Sequence, residues 1–264
     1  MCDDQEMTAT DARTTHGSRS ADTGLEQNGH MYAEKRIDGT DLFGCLWTST
    51  SSAENTDAVH RIIPDLCADF IADSTGKAWL VGPATAADLV TTTPGVTRWG
   101  VRISPPALRS ILGTDAEAVQ DTKVDFDGIL PSRTARILAD ALRCERVDAA
   151  LLEKLWPSSC PEEVAQIGYA ALTASTQAKV RDIAADLGVS ERHFRRTIVA
   201  STGLAPKMIQ KVQRMQNVLT SSRSTNVPLA VHAAHAGYAD QAHLSRDVQA
   251  LTGVTPTQLL REYR

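Results

Sequence analysis

Residues 179–203, KVRDIAADLGVSERHFRRTIVASTG, constrain the fold more than any other stretch of the chain. Val180, Ile183, Ala184 and Leu187 recur at the spacing of one helical face. Gly188 ends that helix, because it takes a positive φ without a Cβ penalty. Ser190 follows as a side-chain cap for a second helix, whose inward stripe is Phe194, Ile198 and Val199. Arg192, Arg195 and Arg196 fall outside that stripe. A short helix, a glycine turn and a second helix that is basic near its start form the pattern of a helix-turn-helix that reads DNA.

The pattern returns in residues 229–253. Leu229, Val231 and Ala234 line a first helix, Gly237-Tyr238 make the turn, and Asp240 is the cap. The next helix carries Gln241, His243 and Arg246 outward and Leu244, Val248 and Leu251 inward. The caps at 190 and 240 lie fifty residues apart. Two units are too few for a solenoid and suit a bipartite DNA reader. Between them, Pro206 fits a first helical position, and Ile209, Val212, Met215 and Leu219 keep a helical period to Ser222. A helix over 207–221 is roughly 22 Å long, a spacer able to hold two recognition helices about one DNA turn, ~34 Å, apart on one side of a duplex.

Ala233 to Val248, in the pattern AxxAGYADQAHLSRDV, and Gly253 to Arg261, in the pattern GVTPxxLLR, resemble the C-terminal domain of AraC-type transcriptional regulators. The resemblance covers residues 180–264. It implies that Arg192, Arg195 and Arg196 in the first unit, and Gln241, Ala242 and Arg246 in the second, face bases or phosphates. The residue types agree with this. Arg192 and Arg196 share one helical face, with Arg195 adjoining, and arginine grips guanine O6 and N7 through two bonds. Gln241 suits adenine, Ala242 a thymine methyl, and Arg246 a phosphate or a brace for the fold. His193 and His243 hold equivalent places, which favours a structural or phosphate-contacting role over a metal site. Glu191 neutralises part of the arginine cluster and favours the helix dipole. Lys207, Lys211 and Arg214 on the connecting helix are assigned to phosphate contact or solvation, with Lys211 placed in the DNA-binding set. The family usually has phenylalanine where this chain has Val248, and a basic residue where it has Gln249. With Asp247 next to them lowering the local attraction for phosphate, the second unit is expected to bind less tightly.

The formal net charge of −5 looks wrong for such a protein until the chain is divided. Residues 179–264 hold 12 Lys/Arg against 6 Asp/Glu, whereas residues 1–178 hold 15 against 26. Such asymmetry marks a nucleic-acid-facing half. The five cysteines are unclustered, without metal spacing, and suit a reducing cytosol. No apolar run is long enough to span a membrane, and the N-terminus has no secretory h-region.

Residues 1–39 are polar, poor in branched aliphatics and expected to be a disordered tail. Residues 40–157 are expected to form a β-rich sensor domain with helices, and residues 158–264 the double helix-turn-helix domain. Short strands are predicted around Phe43 to Trp47, with Phe43, Cys45 and Trp47 on one face, and over 59–63, 78–82 and 96–104. In the last of these Trp99, Val101 and Ile103 face one way and Arg98 and Arg102 the other. Helices are predicted over 105–112, 132–145, 151–157 and 161–175. The strands suggest a small barrel or half-barrel. Ile63 to Phe70 (IPDLCADF), Gly82 to Thr85 (GPAT) and the Pro94 to Ile103 run resemble the compact N-terminal domain of some actinobacterial AraC-type regulators. That likeness implies a cupin-like pocket for a small molecule, or a dimerisation surface. A glycine is common there where this chain has Leu66, so the turn is expected to differ. Arg98, Arg102 and His60 are the candidates for effector binding, with pairing to the surplus carboxylates the competing role for the arginines. His60, Asp65 and Asp69 are read as strand-edge and turn residues, not metal ligands.

The expectation is therefore an α+β chain, with an N-terminal β-barrel-like domain and a C-terminal all-α domain of two helix-turn-helix units joined by a long helix. It is a cytoplasmic, sequence-specific transcriptional regulator and not an enzyme, with no cofactor and no metal. Its partners are promoter DNA, RNA polymerase, a small-molecule effector and a second copy in a homodimer, with no membrane. The alternatives are a DNA-localised enzyme, or a protein-interaction module with an N-terminal pocket domain.

Overall fold

The computed structural model describes residues 25–27, 30–52, 58–157, 159–224 and 227–263. The expected tail over 1–24 lies outside the described residues, but its continuation to 39 is not a tail. Leu25–Gln27 (β1) and His30–Arg36 (β2) are strands, and β2 pairs along its whole length with Phe43–Ser51 (β3). Backbone hydrogen bonding to a partner strand, not apolar patterning, orders this polar segment.

Further strands are Ala58–Ile62 (β4), Ala68–Asp73 (β5), Ala78–Val81 (β6), Asp88–Thr92 (β7), Thr97–Ile103 (β8) and Lys123–Asp125 (β9). A seven-stranded antiparallel sheet runs β1-β2-β3-β8-β5-β6-β9, and β4 and β7 form a separate two-stranded ribbon. The helices are Leu108–Leu112 (α1), Ser132–Arg143 (α2), Ala149–Leu155 (α3), Glu163–Ala174 (α4), Val180–Asp186 (α5), Glu191–Thr202 (α6), Pro206–Ser224 (α7), Leu229–His235 (α8), Gln241–Thr252 (α9) and Pro256–Glu262 (α10).

The first core lies between one sheet face and α1 to α3. Phe43, Phe70, Leu80, Val101 and Ile103 meet Leu108, Leu138, Leu142, Leu152 and Trp156 there. Trp156 stacks on Phe70 with ring centres 5.6 Å apart. The expected face of β3 needs correction. The register between β3 and β8 shifts between Phe43 and Leu46, a bulge that turns the strand over. Phe43 and Leu46 therefore pack on this core, and Trp47 crosses to the opposite face. There its indole lies so close to Gly100 that a Cβ at that glycine would come within 2.1 Å of the ring. Trp47 Nε1 donates to Asp69 Oδ1 at 2.8 Å.

The second core is helical. Leu172, Ile183, Phe194, Ile198, Ile209, Met215, Leu244, Val248 and Leu259 belong to it, but so do Ile63 and Leu66 from the turn between β4 and β5. The two halves are consequently packed together. Gln216 Nε2 donates to Pro64 O at 2.6 Å, Ala87 N to Leu251 O at 2.7 Å, and Arg61 Nη1 to Thr252 O at 2.6 Å.

Leu66 itself has φ +73°. The backbone there takes the left-handed conformation that a glycine would favour, so the turn keeps the glycine-type geometry and does not show the expected difference. The strain of about 1–2 kcal/mol is offset by burial of its side chain in the second core, of order 1.5–3 kcal/mol. Truncation separates the two contributions. Leu66→Ala keeps the strain and loses the burial, so it should cost about 2–5 kcal/mol. Leu66→Gly relieves the strain and should be no less stable than the alanine variant, the reverse of the usual ranking. Urea denaturation of the two variants checks this.

On the Trp47 side of the sheet, Arg102 is held by Glu34, Asp65 and Asp69 at 3.3, 3.2 and 3.4 Å. Burial nonetheless raises the Asp69 carboxyl to about 6, against the opposing pull of Arg102. A carboxyl raised on folding contributes stability that is complete below its unfolded value near 3.9 and is lost as pH rises through about 6. Thermal melts of the wild type should gain stability from this group as pH falls from 7 toward 4, and Asp69→Asn should remove that component.

Candidate nucleic-acid interface

Equivalent hydrogen bonds build the two helix-turn-helix units. Gly188 N donates to Ala185 O and Val189 N to Ala184 O, both at 3.0 Å; Gly237 N donates to Ala234 O at 3.1 Å and Tyr238 N to Ala233 O at 2.9 Å. Both glycines have positive φ, +67° and +85°. The cap Ser190 accepts from His193 N, and Asp240 from His243 N. The second turn carries one extra residue, Ala239, before its cap. Both second helices stop in the same way. Gly203 and Gly253 have φ +75° and +74°, Thr202 and Thr252 Oγ1 fold back onto Ile198 O and Val248 O, and Pro206 and Pro256 start the next helix.

Phe194 and Leu244, four residues after their caps, are fully buried. That places Arg192 and Arg196 on the exposed side of α6, and Gln241, Ala242, Arg246 and Gln249 on the exposed side of α9. Arg195 is half-exposed and paired to Glu191 through Nε at 2.9 Å, which takes it out of the free arginine set. Arg196 Nη2 lies 3.2 Å from His193 Nδ1. Among the described residues, the first unit thus presents two guanidinium groups without a carboxylate partner, and the second presents two amides, a methyl and one arginine.

Two residues take places other than those expected. Lys211 lies 3.6 Å from Asp247 Oδ1, with its side chain 24% exposed, and Arg214 donates to Asp247 Oδ2 at 3.2 Å. Asp247 therefore does not stand among the outward residues repelling phosphate. It joins α9 to α7, and Lys211 is spent on that junction. His243 Nε2 also approaches Asp247, at 3.5 Å, while its ring meets Tyr238 edge-on.

The N-terminal half supports α6 from behind. The segment 105–119 packs against α6, and Ala200 and Ser201 are buried where Ala250 of the second unit is exposed. Thr197 Oγ1 donates to Glu162 Oε1 at 3.4 Å, and Glu162 pairs with Arg109 at 3.8 Å.

Residues 183–262 match a helix-turn-helix domain family. The C-terminal third of the chain is a helix-turn-helix domain. Residues 40–125 match a domain of unknown function, DUF6597. No curated protein matches the chain. Among solved structures it is similar to the C-terminal domain of AraT, a response regulator from Geobacillus stearothermophilus, at 21% identity over 38% of this chain and 85% of that one, with a TM-score of 0.36. It is also similar to ToxT from Vibrio cholerae, at 11% identity over 79% of this chain and 98% of that one, TM-score 0.44. The same values of identity and TM-score hold for ToxT bound to an unsaturated fatty acid, over 90% of this chain and 98% of that one.

Ahead of the helix-turn-helix domain, the expected effector residues do not form one group. Arg102 is taken up by its three carboxylates. His60 on β4 is instead close to Arg98. Burial first, and then the positive charge of Arg98, lower its proton affinity. Lys123, not singled out from the sequence, sits 3.9 Å over the Trp79 ring and also feels Arg98. Among the described residues, no group of three or more His, Cys, Asp or Glu is placed to hold a metal ion, and no helix is long and apolar enough to cross a membrane.

The stop glycines separate the packing of the domain from its local geometry. An alanine at either position is strained by the positive φ. At 203 its Cβ would also come within 2.9 Å of Ala116 O and 2.8 Å of Pro83, whereas at 253 the nearest atom is Arg61 Nη1 at 3.7 Å. Gly203→Ala should therefore be more destabilising than Gly253→Ala by about 1–3 kcal/mol, measured by urea denaturation.

Proposed function

We propose that this chain is a sequence-specific regulator of transcription that reads two half-sites with α6 and α9. The reading rests on one observation above all: two units share the same turn, cap and stop, and each buries its apolar stripe so that a polar or basic face is left outside. In this reading Arg192 and Arg196 supply base contacts in the first half-site, where guanine O6 and N7 match an arginine fork. Arg195, partly neutralised by Glu191, contributes less. Gln241 and Ala242 read the second half-site, and Arg246 contacts phosphate. His193 and His243 brace the helix starts. The protein works in the cytoplasm at a promoter alongside RNA polymerase, and a homodimer would double the number of half-sites.

The N-terminal half serves as the regulatory part. Arg98 and Lys123 supply neighbouring positive charges, with Lys123 over the Trp79 ring. His60, whose proton affinity is lowered by burial and by Arg98, adds a neutral hydrogen-bonding ring beside Arg98. Together they make a setting for an effector with an anionic group. The ribbon carrying His60 also carries Arg61, which grips the C-terminal end of α9. A ligand on one side of β4 is thereby joined to the second reading unit on the other.

Selection of bound fragments from random duplexes, followed by titration across salt, tests the DNA-reading proposal. Arg192→Ala should lose about 1–3 kcal/mol at one base pair of the selected site and little elsewhere. Arg246→Ala should weaken all sequences evenly and reduce the salt slope by about 1. Equal affinity of the wild type for every duplex would overturn sequence-specific reading.

A further inference from the structure

Asp247 stands at the centre of a junction that local helix geometry does not require. Its carboxylate takes Arg214 at 3.2 Å and Lys211 at 3.6 Å from α7, and His243 at 3.5 Å from its own helix. The Arg214 guanidinium lies over the Tyr238 ring at 5.3 Å, so the same arginine holds the turn of the second unit. It also reaches the loop ahead of the first unit, donating from Nη1 to Thr176 O at 3.2 Å. That loop is pressed against the second turn. A Cβ on Gly237 would meet Thr176 Oγ1 at 3.0 Å and Gln177 Nε2 at 3.1 Å. Gln210 Nε2 ties α7 to the same loop through Ala178 O at 2.8 Å.

The corresponding position of the first unit, fifty residues earlier, is Thr197. It anchors α6 to Glu162 and, through it, to Arg109, and among the described residues it forms no hydrogen bond to a charged group of α7. The carboxylate at 247 is therefore peculiar to the second unit, and its partners are the connecting helix and the first unit's leading loop. One carboxylate stands between two α7 cations whose side chains are each less than a quarter exposed, so it is what holds the two like charges together. Removing the carboxylate leaves Lys211 and Arg214 repelling each other.

We propose that Asp247 is a positioning residue that sets the rotation and offset of α9 relative to α6, and so fixes the half-site spacing the protein accepts. The proposal rests on the DNA-reading function above. It assigns Asp247 no contact with DNA: its role is to make the two units a single rigid reader.

The test uses the full chain and the site recovered from random duplexes with the wild type. Three probes are compared: the intact site, the half-site of the first unit alone, and the intact site with two base pairs inserted between halves. The wild type should lose roughly 10-fold or more on insertion, a coupling of ordinary size between two sites. Asp247→Asn should bind the isolated half-site within about 2-fold of the wild type and the intact site roughly 10-fold more weakly, with the insertion penalty reduced to about 3-fold or less. Asp247→Glu should restore part of the penalty. Lys211→Met, which removes only the more exposed arm, should shift the same ratio in the same direction by a smaller factor, and it carries the test if the asparagine variant does not fold. An insertion penalty unchanged from the wild type in Asp247→Asn, or in Lys211→Met, overturns the proposal. So does an equal loss on all three probes, which marks a general stability role. A wild type with no sequence preference at all would instead fail the function proposed above, and is recognised before any variant is made.

Discussion

Burial of one side chain at the same point in each unit organises the C-terminal half. Phe194 and Leu244 are completely enclosed, and each contributes about 1.5–3 kcal/mol by leaving water. A helix advances about 100° per residue, so the positions two before and two after the buried one point to the opposite side. Those positions are Arg192 and Arg196 in one unit, Ala242 and Arg246 in the other. What each unit shows to solvent is thus set by what it hides. The enclosure is tight enough to dictate a neighbour as well. A Cβ on Gly168 of α4 would come within 2.4 Å of the Phe194 ring, so that helix can approach only as glycine.

The two units share their local design and differ in their fastening. The first is backed by the N-terminal half, through the segment 105–119 and the Thr197, Glu162 and Arg109 chain. The second is fastened to α7 by Asp247 and to the β4–β7 ribbon by Arg61, which also pairs with Glu262 at 3.2 Å. Tyr263 Oη adds a hydrogen bond to Arg61 O. Neither fastening involves the outward residues, so the reading surface and the supporting contacts are separable in chemistry even though they share two short helices.

Much of the C-terminal half was legible in the sequence because its signals are local. Caps, turn glycines and a 3.6-residue apolar period each act within a few residues, and the helices lie where Gly188, Ser190, Pro206 and Asp240 indicate. The N-terminal half depends on partners distant in sequence. β2 has no apolar pattern of its own and exists because β3 lies beside it. β5 is buried along most of both faces, and its run ADFIAD lacks alternation. The bulge that moves Trp47 across the sheet has no signature in FGCLW. Asp247 was misassigned for a related reason. On a helical wheel it lies between outward Arg246 and inward Val248, and only the position of α7 decides that it turns inward. Lys123 belongs to a three-residue strand at the sheet's edge, too short to carry any pattern.

Ile63 and Leu66 complete a core whose other members are contributed almost entirely by residues 164–263. On a ribosome they emerge long before their destination exists. Leu259, the last buried residue of that core, follows Leu66 by roughly 190 residues, about 10–40 s of synthesis at ordinary rates of ~5–20 residues per second. During that interval the two apolar side chains have no native partner, and the β4–β5 turn is an exposed sticky tip on an otherwise assembled sheet. Newly made chains should therefore depend on holdase chaperones more than the stability of the finished molecule would suggest, and that dependence is a direct cost of threading the first half into the second.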